Sequence, residues 1–321
     1  MISAATLGLA PPLSACVGCL GASAGALQTP LPALDDVEGA AVPAGLPPIV
    51  DAHCHLFPDR LFEAIWRWFD EHGWPIRYRL HAEQVVAFQR ARGVSHLVGL
   101  HYAHLPGMAR QLNTWMAEFQ ASHPGVTGVA TVFPGEDGAG AILADGFRAG
   151  LRGVKLHCHV QCFAPDDDAL APVYAACCDH DQPLVMHAGR EPKSPAYGCD
   201  PHALCSAERV ERVLRAYPGL KLIVPHLGAD ESDGYARLLD RYDHLWLDTT
   251  MVIADYFPFD APTHLVALRP DRILFGTDFP NLPYAWDREL VRLASWGLPE
   301  PALRAILGGN ARELFQIPAT G

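Results

Sequence analysis

An α/β fold, and within that class a (β/α)8 TIM barrel, is what the 321-residue sequence predicts. From Pro48 onward, short β-branched runs alternate with longer amphipathic ones, the pattern of repeated strand–helix units around a parallel sheet. Eight such units fit into about 270 residues, close to the ~250 typical of a closed barrel. The first strand ends in Asp51-Ala52-His53-Cys54-His55, where a doubly wound open sheet would carry a glycine-rich phosphate turn.

Taken in order, the first strand is expected at Ile49–His55, followed by helices over Asp59–Asp70 and Ala82–Arg92. The second strand, Val94–Leu100, leads to a helix over Gly107–Ser122, and the third, Val126–Phe133, to one over Gly138–Ala149. Strands Gly153–His159, Leu184–His187 and Leu220–His226 precede helices Asp167–Asp181, Ala207–Ala216 and Tyr235–Arg241. Leu245–Thr249 and Pro262–Leu268 form the seventh pair. Arg272–Thr277 is the eighth strand, and helices over Ala285–Ala294 and Pro299–Phe315 close the chain. No internal repeat beyond this unit and no dividing linker is found. The domain reading is therefore a flexible N-terminal extension over 1–47, a barrel over 48–316 and a short tail over 317–321.

Composition bounds the function. With 24 Lys+Arg against 36 Asp+Glu, the net charge of −12 argues against a nucleic-acid or acidic-membrane partner, which needs a basic face. Half the residues are hydrophobic and 19% are charged, enough apolar material for a large core. No apolar stretch reaches the ~20 residues that span a bilayer. Nine cysteines lack the spacing of a disulfide framework, so a reducing, cytoplasmic setting is the simpler expectation. Residues 1–34 carry no charged side chain, and the first basic residue is Arg60. Pro11 and Pro12 interrupt what could be an export signal. Leu13-Ser14-Ala15-Cys16 has the look of a lipoprotein cleavage box, but the basic region that should precede it is missing, and a tail is the preferred reading.

In a barrel the chemistry gathers at the C-terminal ends of the strands. There the sequence places His53 and His55, His157 and His159, His187, His226 and Asp278, with His101 and His104 after strand two and Asp248 ending strand seven. His53 and His55 alternate on a strand, so both rings face one side and can grip one cation. His187 and Asp278 stand at matching strand ends and offer a third nitrogen and an oxygen. Such a set suits Zn²⁺ first, with Mn²⁺ or Fe²⁺ open.

These motifs resemble the amidohydrolase superfamily. The resemblance rests on Ile49-Val50-Asp51-Ala52-His53-Cys54-His55, Val185-Met186-His187-Ala188-Gly189, Pro225-His226-Leu227-Gly228 and Phe275-Gly276-Thr277-Asp278-Phe279-Pro280, in that order, and on a C-terminal Gly308-Gly309-Asn310-Ala311-Arg312-Glu313-Leu314-Phe315. It is closest to the branch that includes aminocarboxymuconate-semialdehyde decarboxylase, small-lactone hydrolases and many hydrolases of undefined substrate. The resemblance implies one divalent metal held by His53, His55, His187 and Asp278, with Asp278 as the proton-moving base and His226 polarising the substrate. Lys155 alternates with His157 and His159 and is either a substrate contact or, as in binuclear members, a carboxylated bridge to a second ion. One ion and substrate roles for Lys155, His157 and His159 are the preferred expectation.

Arg190, with Lys193 nearby, would favour an anionic substrate at the barrel mouth. Trp66, Trp68 and Trp74 either wall a lid or pack a helix. The leading expectation is a metal-dependent hydrolase in which metal-activated water attacks a small lactone, ester or amide. The alternative is a nonoxidative carboxy-lyase of the same branch, and a third class is a non-catalytic metal-binding protein. The partner is then a small carbonyl or carboxylate compound, with no nucleic acid and no membrane, and a homo-oligomer is left open.

Overall fold

Eight parallel strands succeed one another around a common axis: β1 (Ile49–His55), β2 (Val94–Leu100), β3 (Val126–Gly128), β4 (Val154–His157), β5 (Leu184–His187), β6 (Leu222–Val224), β7 (Leu245–Asp248) and β8 (Ile273–Leu274). The structure is a computed structural model and describes residues 36–190, 194, 196–256 and 262–318. Cys16, Cys19, the cleavage-like box and Lys193 lie outside the described residues.

Strands β1–β3 pair in one run and β4–β8 in another. Backbone hydrogen bonds at two seams join the runs. Ala130 N donates to Gly153 O and Lys155 N to Ala130 O, both at 2.8 Å, closing β3 onto β4. Ala52 N donates to Phe275 O and Asp278 N to His53 O, both at 2.9 Å, closing β8 onto β1. The ring is thus a (β/α)8 barrel without a free strand edge.

The strand period sorts side chains between interior and helices. Val50, Val98, Val129, Val185, Ile223 and Leu274 share an interior layer, which Leu314, Phe315 and Ile317 close from the N-terminal end of the strands. Leu97, Leu156, Met186, Val224 and Leu247 pack outward with the helices. In β1 the pairing register shifts between Asp51 and Cys54. This irregularity lets Val50 and Ala52 serve the apolar layer while His53 and His55 also reach the interior above it.

Several elements are shorter than the sequence pattern predicts. Strand β4 ends at His157, and Cys158–Gln161 is a helical turn. The Gln161 side chain accepts from His157 N at 2.8 Å and donates to Ala103 O and Val132 O, replacing ladder bonds that a longer strand would have made. His159 therefore stands on a helix rather than in register with Lys155 and His157. Strand β6 likewise gives way to a turn at His226–Gly228. The segment from Asp36 is tied to the barrel: Asp36 accepts from Ala285 N and Arg288 Nε, and Gly39 N donates to Asp287.

Candidate metal centre

The strand ends converge two groups of donors. His53, His55 and Asp278 bring ligand atoms within 4.8 Å of one another, and His157, His159 and His187 do the same on the other side of the rim. The first group is built by β1 and the segment after β8. Asp278 Oδ1 lies 2.8 Å from His55 Nε2 and 3.3 Å from His53 Nε2. His53 Nδ1 is 2.8 Å from Asp248 Oδ2 at the end of β7, so that nitrogen carries the proton and donates it. The His53 Nε2 lone pair then faces a carboxylate oxygen, an arrangement that calls for positive charge between them. Lys155 Nζ, fully buried, stands 3.5 Å from the same nitrogen.

Carboxylates behind the donors hold the geometry. Asp248 Oδ1 accepts from His226 N at 3.0 Å and Thr250 N at 3.2 Å, so one side chain orients the β1 histidine and the loop after β6. Asp51 accepts from His53 N, Thr277 N and Thr277 Oγ1, locking β1 to the Asp278 segment. Gly276 lets these segments meet: a Cβ there would lie 2.6 Å from His53 Cβ and 2.5 Å from Thr250 Oγ1. Asp278 and His226 both have left-handed backbone, at φ 71° and 59°, an uncommon state that the surrounding bonds sustain.

Burial and charge tune these groups. Burial lowers the His53 imidazole to about 4, helped by the Lys155 charge and opposed by Asp248 and Asp278. Burial would raise the Asp278 carboxyl, but the imidazoles of His55, His53 and His226 outweigh it and bring it down to about 2. Burial likewise opposes ionisation of Asp248, whose carboxyl the neighbouring His53 nevertheless holds well below the usual carboxylate range. Asp51 is instead pushed up to about 6, because burial exceeds the effect of its hydrogen bonds. Two imidazoles, one of them backed by the Asp248 carboxylate, and the Asp278 carboxylate form a donor set that fits a divalent cation.

His187 lies with the second group. Its ring stacks on His157 at 4.0 Å between centroids, and is 4.9 Å from His159 and 4.5 Å from His226. His226 joins the two groups, with its ring 5.7 Å from that of His53. Its Nδ1 donates to Thr250 O at 3.0 Å, which leaves Nε2 as the acceptor. His159 Nε2 donates to Gly189 O at 3.1 Å. Beside this group opens a pocket of about 340 Å³ lined by Tyr102, His157, His159, Tyr197 and the apolar side of helix Asp59–His72.

Other sequence candidates fall elsewhere. Arg190 pairs with Asp230 at 3.0 Å and Glu231 at 3.3 Å, so carboxylates already match its charge, and it is not among the residues lining the pocket. Of the three tryptophans only Trp68 lines the pocket; Trp66 stacks on Phe62, and Trp74 donates to Asn281 O. His101 is buried and donates to Val129 O. Gln161 and Asp51 escaped the sequence reading. Asp51 had one available signal, its place two residues before His53 on an inward-facing strand.

Comparisons with known proteins agree with this architecture. The sequence profile of the amidohydrolase family matches residues 50–317. A 6-methylsalicylic acid decarboxylase of Penicillium expansum is 34% identical over 119 residues, which are 32% of this chain and 37% of that protein. The chain thus matches little more than a third of that relative's length. Among solved structures, an uncharacterised TIM-barrel protein from Bordetella bronchiseptica superposes with a TM-score of 0.65 at 19% identity, over 84% of this chain and 99% of the other. A dihydroxybenzoic acid decarboxylase from Polaromonas, with manganese and the inhibitor 2-nitroresorcinol bound, gives a TM-score of 0.62 at 17% identity, over 85% and 98%. At such identities the structures establish a common fold. The profile match, which takes in the four strand-end motifs and most of the chain, establishes the lineage: the chain belongs to the amidohydrolase family of enzymes.

Proposed function

We propose that this enzyme is a metal-dependent, nonoxidative decarboxylase of an aromatic carboxylic acid. The observation that carries the reading is a cation-ready donor group on the same barrel rim as a pocket whose lining pairs imidazoles with an apolar helix face. A planar acid matches that polarity: its carboxylate lies toward His157 and His159, its ring against the apolar wall. The decarboxylases from Penicillium expansum and Polaromonas support the same choice. The hydrolytic reading of the sequence takes second place, because no feature of the pocket favours a lactone or amide over a flat acid.

His53, His55 and Asp278 would hold the metal, with His187 completing the set from β5. A divalent cation there would supply positive charge to orient and polarise the acid. Manganese, the ion in the Polaromonas structure, becomes the first choice over zinc, since mixed nitrogen and oxygen donors accept both. Lys155 adds fixed positive charge beneath the substrate. Asp278, an anion in the metal-free site, would relay a proton from water to the ring carbon as the carbon–carboxyl bond breaks and CO₂ leaves. His226 Nε2 accepts a hydrogen bond from a ring hydroxyl and so fixes the ring's orientation.

The test is incubation of manganese-loaded protein with hydroxybenzoic acids and, separately, with lactones. CO₂ release from an acid without lactone opening is the expected result. Lactone hydrolysis without CO₂ release would overturn the proposal in favour of the hydrolase.

A further inference from the structure

Helix Asp59–His72 lays its apolar residues both on the core and along the pocket. One side, with Phe62 and Trp66, packs into the core, where Phe62 stacks on Trp66 at 5.7 Å. Leu61, Ala64, Ile65, Trp68 and Phe69, at the i, i+3, i+4, i+7, i+8 spacing of one helix face, line the pocket, and Leu61 and Ile65 among them also belong to the core. Leu61 and Ile65 thus serve the core and the cavity together, whereas Trp68, outside the core cluster, serves the cavity.

Tyr197 faces this stripe across the opening. Its ring stacks on Trp68 at 5.6 Å and meets His159 edge-on at 5.6 Å, spanning the apolar wall and the imidazole floor. Among the described lining residues there is no Asp, Glu, Lys or Arg. The apolar part of the lining therefore offers no charged group to pair a second carboxylate, and burying one against it would be unfavourable.

We propose that the pocket selects an aromatic acid bearing an extended alkyl substituent, with Ile65, Trp68 and Tyr197 setting specificity, and that it rejects a ring with a second carboxylate against that lining. The inference rests on the decarboxylase reading and refines its substrate class. Each buried methylene improves binding by about fourfold, the equivalent of ~0.8 kcal/mol, until the cavity is filled.

Two series measured on manganese-loaded enzyme test it. The first is CO₂ release from 2-hydroxybenzoic acids carrying hydrogen, methyl, ethyl, propyl or carboxylate at C6. The second is calorimetric binding of the corresponding 3-alkylphenols, which needs no turnover. Both kcat/KM and phenol affinity should climb about fourfold per methylene through propyl, and the dicarboxylate should be rejected. Trp68→Ala, at a half-buried position, should flatten the slope; Ile65→Asp should invert it. A flat or falling series in the unmodified enzyme, with CO₂ still released, overturns the specificity proposal alone. A graded phenol series with no CO₂ from any acid overturns the reaction and leaves the selectivity of the pocket standing.

Discussion

The two donor groups sit on opposite arcs of one rim and use the same residue type under different electrostatic conditions. On the β1–β8 side, Asp278 touches two imidazole nitrogens and Asp248 stands behind His53. On the β4–β5 side the three donors are all imidazoles, two of them stacked 4.0 Å apart. A carboxylate within the first group and another in support concentrate negative charge there and favour a cation. On this arc His187 turns to the cation while His157 and His159, with no carboxylate among the group's donors, favour an anion instead. The contrast shows that a histidine-rich rim is divided by what stands behind each ring.

Removing the one acidic donor should have the largest effect. Asp278→Asn keeps the shape while abolishing both the charge and the proton-carrying oxygen. We expect turnover to fall on the order of 10³-fold, with bound metal also reduced. Steady-state rates and elemental analysis of the same preparation check this, and near-normal turnover would remove Asp278 from the chemistry. Asp248→Asn sharpens the contrast by touching only the support. Its expected signature is metal affinity weakened roughly 10- to 100-fold with turnover recovered at saturating manganese, read by titration of metal-free protein. On the other arc, His157→Gln should leave metal content unchanged and raise KM for the acid about tenfold, the loss of one hydrogen bond to a charged group. Loss of metal from this variant would erase the distinction between the arcs.

Strands β1, β2 and β5 have the bounds that their β-branched runs predict, because both ends are marked by a change of residue type. Strands β3, β4, β6 and β8 stop earlier, where backbone leaves the ladder to form the rim. Nothing local in Gly153–His159 announces that Gln161 will cap the strand, since its partners Ala103 and Val132 come from distant loops. The same reason hid the partners of the site. Asp248 was visible as a strand-end carboxylate, but its bond to His53 spans 195 residues, and Arg190 meets Asp230 from another βα loop. The residues able to do chemistry were therefore legible from strand periodicity, while their grouping depends on rim geometry that periodicity does not contain.

The smallest effect on catalysis should come from a histidine outside both groups, and it separates structural burial from function. His101 lies just beyond β2, fully buried, with Nε2 donating to Val129 O at 2.9 Å. Burial, aided by His55, lowers its imidazole to about 3, although the Val129 bond opposes the shift. The unfolded chain therefore takes up this proton near the ordinary histidine value of ~6.5, before the folded chain does. Stability from the neutral ring is fully present above that value and is lost progressively as pH falls toward 3. His96 and His104, both lowered to about 4, act in the same direction. A cation on His55 would push His101 further the same way. Hence His101→Gln should make the acid-side loss of stability shallower by about one proton, ~1.4 kcal/mol per pH unit, while leaving turnover at pH 7.5 close to that of the unmodified enzyme. Urea unfolding midpoints between pH 4.5 and 7 measure the slope. An unchanged slope would mean that His101 titrates alike in both states, and a lost turnover would place it in the site after all.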